Sequence, residues 1–160
     1  MRNQLSRTSW TTGAGVVLLL SQALVSQSAQ DPWKSSELLE PAPLAQTLQS
    51  SKGKPPVIIS VAFPVLYNNK HLPNAIFAGP GSQPQGIEAL KSAVAKLPKD
   101  SDIVLYCGCC PMEKCPNIRP SYAALKEMGF IRIRVLNVPT NMATDWFDKG
   151  YPSENGSALK

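Results

Sequence analysis

The chain has 160 residues, room for one domain with a core large enough to fold without staples. Hydrophobic residues make up 43% and charged residues 17%, ordinary values for a globular protein. The net charge of +5 falls to +3 once Arg2 and Arg7 are set aside, and the remaining cations are scattered. That pattern excludes a nucleic-acid footprint and mildly favours a small anionic substrate.

Residues 1–29 read as a signal peptide. Arg2 and Arg7 supply a positive start, no acidic residue precedes Asp31, and Gly13 to Val25 is an apolar run interrupted only by Ser21 and Gln22. Ser26, Gln27, Ser28 and Ala29 then offer a cleavage site after Ser28 or Ala29. The run is short for a membrane span, which needs about 20 apolar residues. The alternative is an uncleaved anchor, which would be the chain's sole membrane contact. Either way the folded part is expected in the periplasm or secreted.

Residues 30–55 read as a polar lead-in. Ser35 to Leu39 makes one helical turn, Pro41 and Pro43 break it, and Ser51 to Pro56 is a loop. Val57 to Val61 is a β-branched run of strand length, suited to a sheet covered on both faces. A polar turn follows at Asn68, Asn69 and Lys70, then a very short strand at Ile76 and Phe77. Gln85 to Lys96 has Ile87, Leu90, Ala93 and Val94 at helical spacing. Ile103 to Tyr106 is a second buried strand running straight into Cys107. Arg119 to Met128 is a helix with Pro120 in its first turn and Gly129 at its C′ position. Ile131 to Leu136 is a third strand, and Asn141 to Lys149 a short last helix. Strands alternating with helices imply an α/β fold with a parallel sheet.

All four cysteines fall within nine residues, Cys107-Gly-Cys109-Cys110-Pro-Met-Glu-Lys-Cys115, between a strand and a helix. In open α/β sheets ligands bind beyond the carboxyl ends of the strands. Free amides and the positive end of a helix dipole there favour an anion, so a thiolate at Cys107 should have a lowered pKa. Such a cysteine can carry a transferred group.

Tyr106-Cys107, the loop, and a helix ending Leu125-Lys-Glu-Met-Gly129-Phe130 resemble the active-site unit of rhodanese-like domains. His71-Leu72-Pro73-Asn74-Ala75 resembles that family's His-Ile-Pro-Gly-Ala motif, preceded by Tyr67, and Trp146 with Gly150-Tyr151-Pro152 resembles its closing motif. The resemblance covers about Pro56 to Pro152, within a domain placed at residues 56–155. It implies a three-layer α/β sandwich with a mostly parallel sheet of about five strands. It also implies sulfurtransferase chemistry, with sulfane sulfur passing from a small anionic donor such as thiosulfate to Cys107 and on to a thiol or other nucleophile. Cys107 is then the catalytic residue. Gly108, Cys109 and Cys110 would contribute to the cradle of loop amides reaching to Asn117, and Arg119 would pair with an anionic substrate. No cofactor and no resident metal are expected on this reading.

The chain departs from the family pattern in several places. Its cysteine loop is longer than usual, with Pro111 and Pro116 in it. Ser60 and Ala62 stand where Asp and Arg are usual, and Asn137-Val-Pro-Thr-Asn141 replaces a glycine pair. Other readings of the loop stay open. Cys107 may be written as an inert core cysteine, and four cysteines in an oxidising compartment permit disulfides, Cys107 or Cys110 with Cys115 rather than the vicinal pair. Cys110 or Cys115 would then resolve a persulfide, or the loop would serve thiol–disulfide exchange. Four thiolates also suit zinc or copper(I), although the spacing lacks separated knuckles. A phosphatase would need a basic residue at the end of the loop. His71 is expected to fix a turn rather than act as a base. Trp146 and Tyr151 are expected to pack, and Arg119 has an ordinary helix-start charge as its alternative role.

Overall fold

The computed structural model describes residues 31–50 and 53–156, so the signal-peptide and cleavage readings lie outside the described residues. A 3-10 turn at Ser35–Glu37 leads into β1 (Leu38–Leu39) and α1 (Pro41–Gln49). Next come β2 (Val57–Ser60), α2 (Pro64–Asn69), β3 (Lys70–His71), β4 (Ile76–Phe77) and α3 (Pro84–Val94). After β5 (Asp102–Tyr106) a 3-10 turn at Met112–Lys114 precedes α4 (Ile118–Glu127) and β6 (Arg132–Leu136). A π-helical turn at Ala143–Phe147 and β7 (Glu154–Asn155) close the chain.

The main sheet has five strands in the order β1-β6-β5-β2-β4, and every neighbouring pair is parallel. Beside it β3 and β7 form a small antiparallel pair. Side chains alternate across a strand, and here each face meets its own core. Ile59, Ile103, Leu105, Ile133 and Val135 pack against Leu90 and Val94 of α3 and Ile118, Tyr122 and Leu125 of α4. Ile58, Val104, Tyr106 and Leu136 pack on the other face against Leu44 and Ala45 of α1, Leu72, Met142 and Trp146. Double coverage is why β2 and β5 read as unbroken apolar runs, and it gives the three layers the resemblance implied.

Residues 30–55 need a correction. They belong to the domain rather than leading into it, which moves its start ahead of residue 56. Leu38 pairs with Val135 at the sheet edge, and Leu44 and Ala45 of α1 are buried. Pro41 opens α1 instead of breaking a helix, because a first-turn residue needs no N–H. The two-residue strand carries no periodicity, so nothing in the sequence marked it. Its approach is pinned by Trp33, whose ring meets Tyr122 edge-on at 5.6 Å, and by the 2.9 Å bond from the Tyr122 hydroxyl to Glu37. Pro64 likewise opens α2, which runs through Asn68 and Asn69, read from the sequence as a polar turn. The last helix shrinks to the π-helical turn. α4 ends as expected, with Gly129 at φ 86 after the C-cap Met128, a conformation that favours glycine.

Candidate active site

Cys107 follows β5 directly, at the carboxyl edge of the sheet, where the Tyr106 carbonyl accepts a bond from Val61 N–H of the neighbouring strand at 2.9 Å. A cleft of about 380 Å³ opens at this edge. Ser60 at the end of β2 and Ala62 just after it form part of its wall, with Tyr67, Asn69 and Lys70 from α2 and β3, and Met142 and Phe147 near the π-helical turn. Cys107, Gly108 and Cys109 make its floor. Gly108 holds the turn at φ 87, and a Cβ there would lie 2.0 Å from Met142 Cγ, so only glycine fits.

All four cysteines are free thiols. Cys107 is 4% exposed and Cys115 1%, whereas Cys109 is exposed and Cys110 half-buried. Cys107 and Cys109 sulfurs are 3.4 Å apart, and those of Cys109 and Cys110 3.3 Å. Cys107, Cys109 and Cys115 bring three sulfurs within 4.8 Å of one another. A soft cation would therefore find three thiolates here, not the four considered from the sequence.

Asn117, fully buried at the N-cap of α4, organises the site. Its Nδ2 donates to Cys107 Sγ at 3.2 Å, and its Oδ1 accepts from Ser82 N–H at 3.1 Å. Its carbonyl accepts from Ser121 Oγ at 2.8 Å. The sequence reading counted only its backbone amide. An Asn immediately ahead of a helix was the available signal, since that position aims a side chain at the loop.

The charge sits at the other end of the loop from where it was expected. Cys115 is lowered to about 6 by the Cys107 thiol first, then by the backbone amides of Asn117 and Ile118. Cys107 is raised, chiefly by its interaction with Cys115 and then by burial. Burial pushes Cys110 up to about 12, with Cys109 adding to it. The two thiols are close enough to share one proton, and the amides of Asn117 and Ile118 favour the charged form on the Cys115 side. The long loop is the physical reason: it puts Cys115, not Cys107, against the helix start. Cys107 instead meets the Asn117 side chain and the Cys109 amide.

Two further site residues fall elsewhere than expected. Arg119 pairs with Asp31, donates to the Glu113 carbonyl at 2.7 Å and the Cys115 carbonyl at 3.3 Å, and lies 5.5 Å from the Trp33 ring centre. Its position as second residue of α4 turns it toward the N-terminal segment and away from the cleft lining. Cys110 is also outside that lining, because the chain turns at Pro111 toward the 3-10 turn. Lys70, read as a turn residue, is the cleft's cation, with Nζ 5.1 Å from the Phe147 ring centre.

His71 has the turn-fixing place expected of it. It stacks on Tyr67 at 4.1 Å, and its Nδ1 is 2.9 Å from the Leu72 carbonyl. The Tyr67 hydroxyl donates to the Ala75 carbonyl at 2.6 Å, and Leu72 N–H donates to the Tyr106 hydroxyl at 3.3 Å. Trp146 is wholly buried, its indole N–H donating to the Pro152 carbonyl at 2.9 Å, and Tyr151 packs edge-on against it at 5.2 Å.

A model of the rhodanese-like domain matches residues 43–138. The chain belongs to the rhodanese-like domain family. Among solved structures, the rhodanese-like chain is similar to the Alr3790 protein from Anabaena, with 22% identity, 76% of this chain and 84% of that one covered, and a TM-score of 0.57. It is similar to the BH2092 protein from Bacillus halodurans at 19% identity, covering 78% and 85%, with a TM-score of 0.57. The Saccharomyces cerevisiae protein Ygr203w, described as a homolog of single-domain rhodanese and the Cdc25 phosphatase catalytic domain, matches at 16% identity over 76% and 88%, with a TM-score of 0.50. At these identities the likeness establishes the rhodanese-like fold. No curated protein matches the chain.

Proposed function

We propose that this rhodanese-like domain is an exported sulfurtransferase that carries sulfane sulfur as a persulfide on Cys107. The observation that carries the reading is Cys107 in the lining of the cleft, with Asn117 Nδ2 donating to its Sγ at 3.2 Å. Lys70 in the cleft wall supplies positive charge for an anionic donor such as thiosulfate.

The proton of the Cys107 thiol passes to the Cys115 thiolate as Cys107 attacks the terminal sulfur of the donor. The sulfur–sulfur bond of thiosulfate breaks, sulfite leaves with the bonding pair, and Cys107 holds the sulfur as a persulfide anion. The Asn117 amide, freed from the thiol, can donate to that anion. The Gly13 to Val25 run is the basis for placing this chemistry outside the cytoplasm.

Purified protein treated with thiosulfate should pass one sulfur to Cys107, read as a gain of about 32 Da or as sulfide released from it, and should form thiocyanate when cyanide is present. Cys107→Ser should lose both, a fall of at least ~10³-fold in turnover. Absence of both a Cys107 adduct and released sulfide with thiosulfate or inorganic polysulfide would overturn the reading. The three sulfurs within 4.8 Å support a second one, a thiol-redox or soft-metal module without group transfer. Paired hydrogen loss without release of sulfide, or a bound ion in the intact mass, is its signature.

A further inference from the structure

Cys107 stands between two different neighbourhoods. On one side is the cleft, from which a donor arrives, and Cys109 lines that same cleft. On the other is the core between the sheet and α3 and α4, where Cys115 is buried beside Cys107 and takes no part in the cleft lining. The Cys107 and Cys115 sulfurs are within 4.8 Å. Displacement at a divalent sulfur brings the nucleophile in opposite the leaving group, so a sulfur held in the cleft is displaced from the core side.

We propose that Cys115 resolves the Cys107 persulfide, forming a Cys107–Cys115 disulfide and releasing hydrosulfide into the cleft. The domain is then a sulfane-sulfur reductase that depends on a dithiol, not a carrier that hands a persulfide to an outside acceptor. This rests on the persulfide reading above.

The step balances within the chain. The Cys115 sulfur bonds to Cys107 Sγ as the outer sulfur–sulfur bond breaks. The outer sulfur departs with the bonding pair and takes the proton Cys115 held, leaving as hydrosulfide. Two cysteine sulfurs are oxidised to the disulfide level while the sulfane sulfur is reduced to sulfide. An external dithiol then reduces the disulfide and is itself oxidised. The bond needs a sulfur–sulfur distance of ~2.0 Å, so the two sulfurs must close on each other from within their present 4.8 Å. Cys110 has no part in this, since it lies outside the three-sulfur group.

The test uses reduced full-length protein given one equivalent of inorganic polysulfide without reductant, then alkylated and mapped by peptide mass. Wild type should release one equivalent of sulfide and yield a Cys107–Cys115 linkage. Cys115→Ser, loaded to completion, should stall as the Cys107 persulfide and release sulfide only when a dithiol is added. Cys110→Ser should behave as wild type. A wild-type protein that keeps its persulfide, or one that links Cys107 to Cys109, overturns the relay while leaving sulfur transfer standing. Failure of both wild type and Cys115→Ser to take up sulfur overturns the relay and the transfer reading together. Wild-type mapping decides the question even if Cys115→Ser does not fold.

Discussion

The two ends of the cysteine loop differ in what the fold gives them. At the strand end, Cys107 has access to a cleft but only a side-chain amide and the Cys109 N–H to favour its charge. At the helix end, Cys115 has backbone amides and the negative charge but no opening to the cleft. In a short loop one cysteine would have both. Lengthening the loop separates reach from charge, and proximity within 4.8 Å restores the coupling by letting a proton cross between the sulfurs.

Breaking the link between the ends should have the largest effect. Asn117 bonds to Cys107 and receives Ser82 N–H from the N-cap position of α4. Asn117→Ala should lower sulfur uptake about tenfold and stability by about 0.5–1.5 kcal/mol, because the part-buried Ser82 N–H loses its partner. Rapid-quench uptake rates and urea melts measure the two losses, and unchanged uptake would remove Asn117 from the site.

The pH dependence sharpens the comparison next. A pair whose first proton leaves near about 6 should take up sulfur at a rate that falls about tenfold per pH unit below that point and is level above it. An isolated cysteine would instead rise through ~8.5. Initial uptake rates across this range separate the two, and a rise only at the higher pH would show that the two sulfurs do not share a proton.

Arg119 gives the smallest expected effect. It lies beside the helix end yet serves the N-terminal segment through Asp31 and Trp33. Arg119→Ala should cost up to ~1 kcal/mol, given its partial exposure, and leave sulfur uptake unchanged. A marked rise in the donor concentration needed for half-maximal rate would return it to substrate binding.

Much of the site was legible because it depends on local order. A β-branched run ending at Tyr106, a cysteine, a loop and a helix closed by Gly129 already place Cys107 at a strand's carboxyl end. What was not legible involves partners distant in sequence. Asn117 meets Ser82 across 35 positions and Arg119 meets Asp31 across 88, and no spacing rule relates them. Two-residue strands such as β1 carry too few residues for a period, so only pairing with β6 reveals them.

By itself the sequence determined the α/β class, the order of its main strands and helices, and a cysteine at the sheet edge, because hydrophobic period and turn chemistry act within a few residues. The tertiary structure decided which sulfur carries the charge, which face of Cys107 meets the cleft, and that residues 38–49 complete the domain. Those outcomes depend on burial and on distances between segments, and a chain's pattern fixes neither until its elements pack together.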